Sequence, residues 1–227
     1  MTPHLAQVLA KGPLFQQLPP KLCQCLISKA QPRSYGRGAV ICLQGEQART
    51  LKLVLDGWVK LYRLSGSGEE AVLATLQAAD SFDEVAALQG GISQASAEAV
   101  SPCTVLHLDL QAICACERAK EHLQAAVLHM ASHHLDGMMA QVEGLKVQTG
   151  AQRLTRYLID LYEAEGGAIE FELPFEKVIL AGKLGMKPES LSRAFARLKP
   201  VGVSSSHRLV SIRDMSKLRA YAEATAA

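Results

Sequence analysis

Three side chains with complementary hydrogen-bonding chemistry stand close together near the C-terminal end of the chain: Glu189, Ser192 and Arg193, within the run Pro188-Glu189-Ser190-Leu191-Ser192-Arg193-Ala194-Phe195-Ala196-Arg197-Leu198. Wound as a helix, the run puts Leu191, Phe195 and Leu198 on one face and leaves Glu189, Ser192, Arg193, Ala196 and Arg197 on the other. A guanidinium bonds both O6 and N7 of guanine, a carboxylate accepts from the cytosine amino group, and a serine hydroxyl meets base edges. Lys187 and Arg197 are placed to meet phosphates, and Ser190 completes the polar set. This is the chemistry of a surface that reads duplex DNA.

The thiols and imidazoles offer a second chemistry. Of six cysteines, Cys23 and Cys25 are separated by one residue, and Cys42, Cys103, Cys114 and Cys116 follow at spacings that form no metal-binding signature. The N-terminus lacks the layout of a secretion signal and no stretch approaches a membrane span, so a cytoplasmic chain with reduced thiols is expected. His129 and His133 share one helical face, but two ligands do not make a metal site. There is no nucleophile–base pair at a recognisable spacing, no glycine-rich phosphate loop joined to a helix and no paired carboxylates, so an enzyme is not expected.

The elements that must position these residues follow from periodicity. A helix over 175–184, Gly185 as the left-handed turn residue, and a helix over 188–199 opened by Pro188 make a helix-turn-helix. A helix over 152–164 and a strand over 169–173 precede it, and a Ser-rich hairpin over 202–212 follows, which is the element order of a winged helix. Short apolar runs at 40–41, 51–55, 59–64, 72–76 and 105–108, divided by turn residues, predict an antiparallel barrel or sandwich. Between the two, residues 119–149 predict one helix of about 45 Å. Its seam of Leu123, Val127, Met130, His134, Met138, Val142 and Leu145 steps mostly by three and four, and a symmetric dimer would cover it. The fold expected is α+β, with a sensing barrel over 1–118, a dimerisation helix over 119–149 and a DNA-binding domain over 150–227.

Charge agrees with that division. The net charge of the 227 residues is only +2, but Lys177, Lys183, Lys187, Arg193, Arg197, Lys199, Arg208 and Arg213 face the single acid Glu189. From Leu64 to Glu117 there are acids and no Lys or Arg at all. A basic block confined to one end is the footprint of a polyanion-binding domain.

With these residues in view, the chain resembles the CRP/FNR superfamily of bacterial transcription regulators. The barrel carries the likeness through Tyr35, Gly38, Ile41, Gln44-Gly45-Glu46, Gly57 and Val59-Lys60-Leu61-Tyr62-Arg63, and the reader through Leu180-Ala181, Leu184-Gly185, Glu189-Ser190-Leu191-Ser192-Arg193 and Gly202-Val203. Glu189, Ser192 and Arg193 resemble the Glu-x-x-Ser-Arg triad of the FNR and Dnr branch. The resemblance implies a jelly-roll barrel like those that bind cyclic nucleotides, a homodimer on a TTGAT–ATCAA inverted repeat with Arg193 on guanine, and contact with RNA polymerase in an activator.

It also frames the effector, which the residues leave unknown. Cyclic AMP is disfavoured because Asp83 replaces the glycine whose bare backbone approaches the phosphate, and Ser93 or Gln94 stands where the family supplies Arg. An iron–sulfur cluster lacks its N-terminal cysteine group, although a thiol switch at Cys114 and Cys116 is conceivable. Haem sensing nitric oxide, as in the Dnr and NnrR groups, would need an apolar slot between barrel and long helix, lined by Leu123, Val127 and Met130. Its ligand candidates are His4, His107, His129, His133 and His134.

Overall fold

The computed structural model describes residues 8–9, 12–110 and 117–223. It contains two compact units, divided within the long helix between Gly137 and Met138.

In the first unit two short helices, α1 (Pro13–Gln16) and α2 (Pro20–Lys29), precede eight strands: β1 (Gln31–Tyr35), β2 (Val40–Cys42), β3 (Leu51–Asp56), β4 (Val59–Leu64), β5 (Glu70–Leu76), β6 (Ser81–Phe82), β7 (Ser96–Ala99) and β8 (Cys103–Leu108), with helix α3 (Glu84–Gln89) between β6 and β7. They pair antiparallel into two four-stranded sheets, ordered β1-β8-β3-β6 and β2-β7-β4-β5. Five of the eight strands overlap the expected runs. Missed were β1, an edge strand whose Pro32 costs no ladder bond there, and β7, whose small Ser-Ala-Glu-Ala sequence pairs on both sides because packing overrides weak β-propensity. The third, β6, is only two residues long.

Alternation explains how the strands are buried. Leu51, Leu53, Leu55, Leu106 and Leu108 pack against the helices, while Val54, Val59, Phe82, Ala97, Cys103 and Val105 fill the space between the sheets. At the β3–β4 turn only glycine fits: Gly57 has φ +78°, and a Cβ there would run into the Pro102 carbonyl and Cys103.

His107 faces Lys52 across the β3–β8 ladder. Its ring nitrogens meet the Tyr35 hydroxyl at 3.0 Å and the Thr50 hydroxyl at 3.2 Å. Burial, with Arg33 and Lys52 nearby, lowers its pKa to about 4. The unfolded chain takes up a proton here below the ordinary value of 6.5, whereas the folded barrel refuses it until about 4. The contribution to stability is therefore complete above pH 6.5 and is lost as pH falls from 6.5 towards 4, by at most about 3 kcal/mol. Denaturant titrations across that window should show a steeper loss in the wild type than in His107→Gln.

Helix α4 (Glu117–Val147) crosses the division between the units. The second unit continues with α5 (Gly150–Ala164), β9 (Glu170–Glu172), α6 (Lys177–Lys183), α7 (Pro188–Leu198), a single 3-10 turn (Lys199–Val201), β10 (Val203–Ser206), β11 (Leu209–Ile212) and α8 (Met215–Glu223). Thr149 and Gln152 form a reciprocal capping box that fixes where α5 starts. The three strands are ordered β10-β11-β9, so the expected wing is present. Helix α8 was not expected; Asp214 accepts from the Lys217 backbone N–H at its start, and Leu218 is its buried anchor.

Candidate nucleic-acid interface

The reading helix is held by one apolar face. Leu191, Ala194, Phe195 and Leu198 are buried, at the i, i+3, i+4, i+7 spacing of a helix seated on a core. Beneath it lie Leu154, Leu158, Leu180, Leu184 and Val203, also buried. Gly185 sits at φ +63° between α6 and α7, a conformation open to glycine at no steric cost. Pro188 is at the first helical position, after Lys187 in extended conformation. Arg153 locks the turn to α5: its Nε donates to the Leu184 carbonyl at 2.9 Å and its Nη1 to the Gln148 carbonyl at 2.7 Å.

The opposite face is open. Glu189, Ser192, Arg193, Ala196 and Arg197 are all exposed, as the helical period predicts, and Lys187 is exposed beside them. Ser190 is half-buried; its hydroxyl accepts from Arg193 Nη2 at 3.0 Å, which steadies the guanidinium at the start of the helix. Ser192 donates back to the Pro188 carbonyl at 3.1 Å and must rotate to reach a base. The basic block divides by role. Lys187, Arg193, Arg197, Lys199 and Arg213 are exposed, whereas Lys177 donates to Ser205 at 3.0 Å and lies 4.8 Å over the Phe195 ring. Arg208 donates to the Leu173 carbonyl and pairs with Glu172, and so tethers the wing.

One part of the surface was not assigned from sequence. The wing turn carries exposed Ser206 and His207, the latter at φ +50°. The available signal was the hairpin itself, whose tip stands clear of its own unit.

The expected seam of the long helix is corrected. Leu123, Val127 and Met130 are covered in the first unit by Leu14, Leu26, Leu106, Leu108 and Leu110, and offer no surface to a partner. His134 lies 4.0 Å from buried Glu84 of the same unit. Met138, Val142 and Leu145 are exposed as expected, and Leu128 and Leu135, left out of the seam, are exposed as well. With Ala131, these make the series 128, 131, 135, 138, 142, 145, a strict 3–4 heptad pattern. Counting apolar residues by period had merged two stripes: one covered by the barrel, one open.

The same packing corrects the slot imagined for haem, because Leu123, Val127 and Met130 are already in side-chain contact with the core. His107 is committed to Tyr35 and Thr50. His4, Cys114 and Cys116 lie outside the described residues. Cys42 and Cys103 are buried thiols whose pKa burial raises, and Cys23 and Cys25 are half-buried in α2. Among the described residues no three His, Cys, Asp or Glu side chains gather as a metal site, and no helix is long and apolar enough to cross a membrane.

The cation-free stretch from Leu64 to Glu117 misled in one respect. Lys52 reaches the same region from β3, and its Nζ lies 2.6 Å from Asp83 Oδ2.

Comparison with known proteins bears on both units. Residues 32–116 match the cyclic nucleotide-binding domain model and residues 152–221 the Crp-like helix-turn-helix domain model. A solved structure from Silicibacter pomeroyi, provisionally described as a cAMP-binding regulatory protein, is 39% identical, with 98% of this chain and 100% of that one covered and a TM-score of 0.71. The CRP-like cAMP-activated global transcriptional regulator of Mycobacterium tuberculosis is 24% identical over 89% of this chain and 97% of its own. The nitrogen fixation regulation protein FixK of Rhizobium meliloti is 28% identical over 80% of this chain and 78% of its own.

Proposed function

The chain belongs to the CRP/FNR family of DNA-binding transcription regulators, and from that premise we propose that it works as an effector-gated homodimer on a TTGAT–ATCAA inverted repeat. It is a regulator and not an enzyme, as are the relatives it matches. The observation that carries the operator is the exposed row Glu189, Ser192 and Arg193 on α7, backed by a fully buried opposite face. In this reading Arg193 bonds guanine, Glu189 accepts from cytosine, Ser192 meets the next base, and Lys187, Arg197 and Lys199 hold phosphates.

The homodimer is supported by the exposed heptad from Leu128 to Leu145. Two-fold pairing there would set two reading helices about 34 Å apart, one helical turn of DNA. An effector would act by binding the DNA-competent arrangement of the paired helices more tightly than the alternative. Contact with RNA polymerase would follow in an activator, with the whole assembly acting on DNA in the cytoplasm.

Titration of a labelled TTGAT–ATCAA duplex across salt tests the reading. A dimer neutralising about eight phosphates should show log K falling against log salt with a slope near −7, against a weaker and equally salt-dependent affinity for a scrambled duplex. Equal affinity for the two duplexes would remove the operator assignment.

A further inference from the structure

Between the two sheets of the first unit, we infer, lies an oxoanion cradle built from Lys52 and Ser93 that the chain fills with its own Asp83 carboxylate. The barrel therefore holds its charged centre complete without a phosphate-bearing ligand.

Lys52 interrupts the apolar strand Leu51-Lys52-Leu53-Val54-Leu55 at a position that alternation turns inward, and it is only 5% exposed. An ammonium placed there demands a counter-charge. Three donors converge on the single oxygen Oδ2 of Asp83: Lys52 Nζ at 2.6 Å, Ser93 Oγ at 2.7 Å and the Cys42 thiol at 3.8 Å. Ser93 is 1% exposed. Lys52 has one further acceptor, the Thr50 carbonyl at 3.3 Å. A cation and a hydroxyl aimed at one anionic oxygen are the groups that would receive a phosphate oxygen.

The occupant is held at a cost. Asp83 has φ +63° and ψ 20°, a left-handed conformation that side chains other than glycine and asparagine seldom adopt. It stands at the cap position of α3 yet makes no capping bond, its carboxylate being turned into the cradle instead. Backbone strain of this kind persists where surrounding contacts over-determine it. Both Asp83 and Ser93 lie within the stretch that matches the cyclic nucleotide-binding model. A pair that merely stapled the sheets would explain the Lys52 contact alone. It would not require the serine and thiol to point at the same oxygen, nor the left-handed aspartate.

The test uses the full chain as wild type, Asp83→Gly and the double variant Asp83→Gly/Lys52→Met, with inorganic phosphate and cyclic AMP as separate probes against chloride at matched ionic strength. Asp83→Gly relieves the backbone and empties the cradle. It should bind phosphate saturably in calorimetry, and its Tm should rise by about 4 °C at a phosphate concentration about ten times its Kd. The double variant should lose both effects, and the wild type should show neither with either probe. Uptake of cyclic AMP as well as phosphate by Asp83→Gly would mean that the cradle takes cyclic phosphodiesters; uptake of phosphate alone would mean small oxoanions only. Saturable binding of either probe by the wild type overturns the inference, and so does a folded Asp83→Gly indifferent to both. If Asp83→Gly is recovered unfolded, refolding yield replaces Tm: a yield that rises with phosphate supports the cradle, and a flat one overturns it. None of these readouts involves DNA, so they stand or fall apart from the operator assignment.

Discussion

Arg193→Ala should abolish the preference for guanine in the half-site while leaving the protein folded and still attracted to DNA. Arg193 is exposed on α7, and its only described contact is with the Ser190 hydroxyl, so truncation leaves no buried partner stranded. The loss falls on recognition. A bidentate guanidinium–guanine pair is worth roughly 1–3 kcal/mol of discrimination, so affinity for the operator should fall about 10- to 100-fold and approach that for the G-substituted duplex. Arg193→Lys should recover phosphate-like attraction without discrimination, because an ammonium cannot present two fixed parallel donors. Lys199→Ala makes the control: it should weaken all duplexes alike and shallow the salt slope by about one. A selection experiment in which Arg193→Ala enriches the same sequence as wild type would contradict the role given to this side chain.

The second large effect concerns the long helix. The double substitution Leu135→Glu/Met138→Glu should convert dimer to monomer and lower operator affinity by about 10²- to 10³-fold, because each reader then binds one half-site without the effective concentration supplied by its linked partner. Both side chains are mostly exposed in the single chain, 57% and 60%, so the charges add little cost to the fold of either unit. Leu123→Ala gives the contrast. That side chain is fully buried in the barrel core, and its removal should cost about 2–5 kcal/mol of folding stability, with dimerisation impaired only as the barrel itself fails. Light scattering and denaturant titration on the two variants separate the outcomes. A dimeric Leu135→Glu/Met138→Glu variant would move the interface elsewhere.

These two experiments also mark where sequence reasoning held and where it stopped. The reader was legible almost residue by residue. Its periodicity is local, its turn glycine and opening proline are chemical requirements of the backbone, and the face that Leu191, Phe195 and Leu198 bury leaves one other face to meet DNA. The strands with strong apolar alternation were legible for the same reason. Those made from Gln31–Tyr35 and Ser96–Ala99 were not, since they are strands only because neighbours pair with them.

The long helix and the barrel interior show the other side. A period of three and four identifies apolar positions along a helix, but not which body covers each one. Leu123, Val127 and Met130 went to the barrel, and Leu128, Leu135 and Met138 were left open. Likewise, the stretch without Lys or Arg between Leu64 and Glu117 implied a field hostile to anions, until antiparallel pairing brought Lys52 against Asp83 and Ser93. What the chain settles locally is backbone conformation and the amphipathic face of each element. Which side chains meet across 31 positions, as Lys52 and Asp83 do, is decided by strand order and register, because only the closed fold creates the low-dielectric space in which a lone ammonium must find its counter-charge.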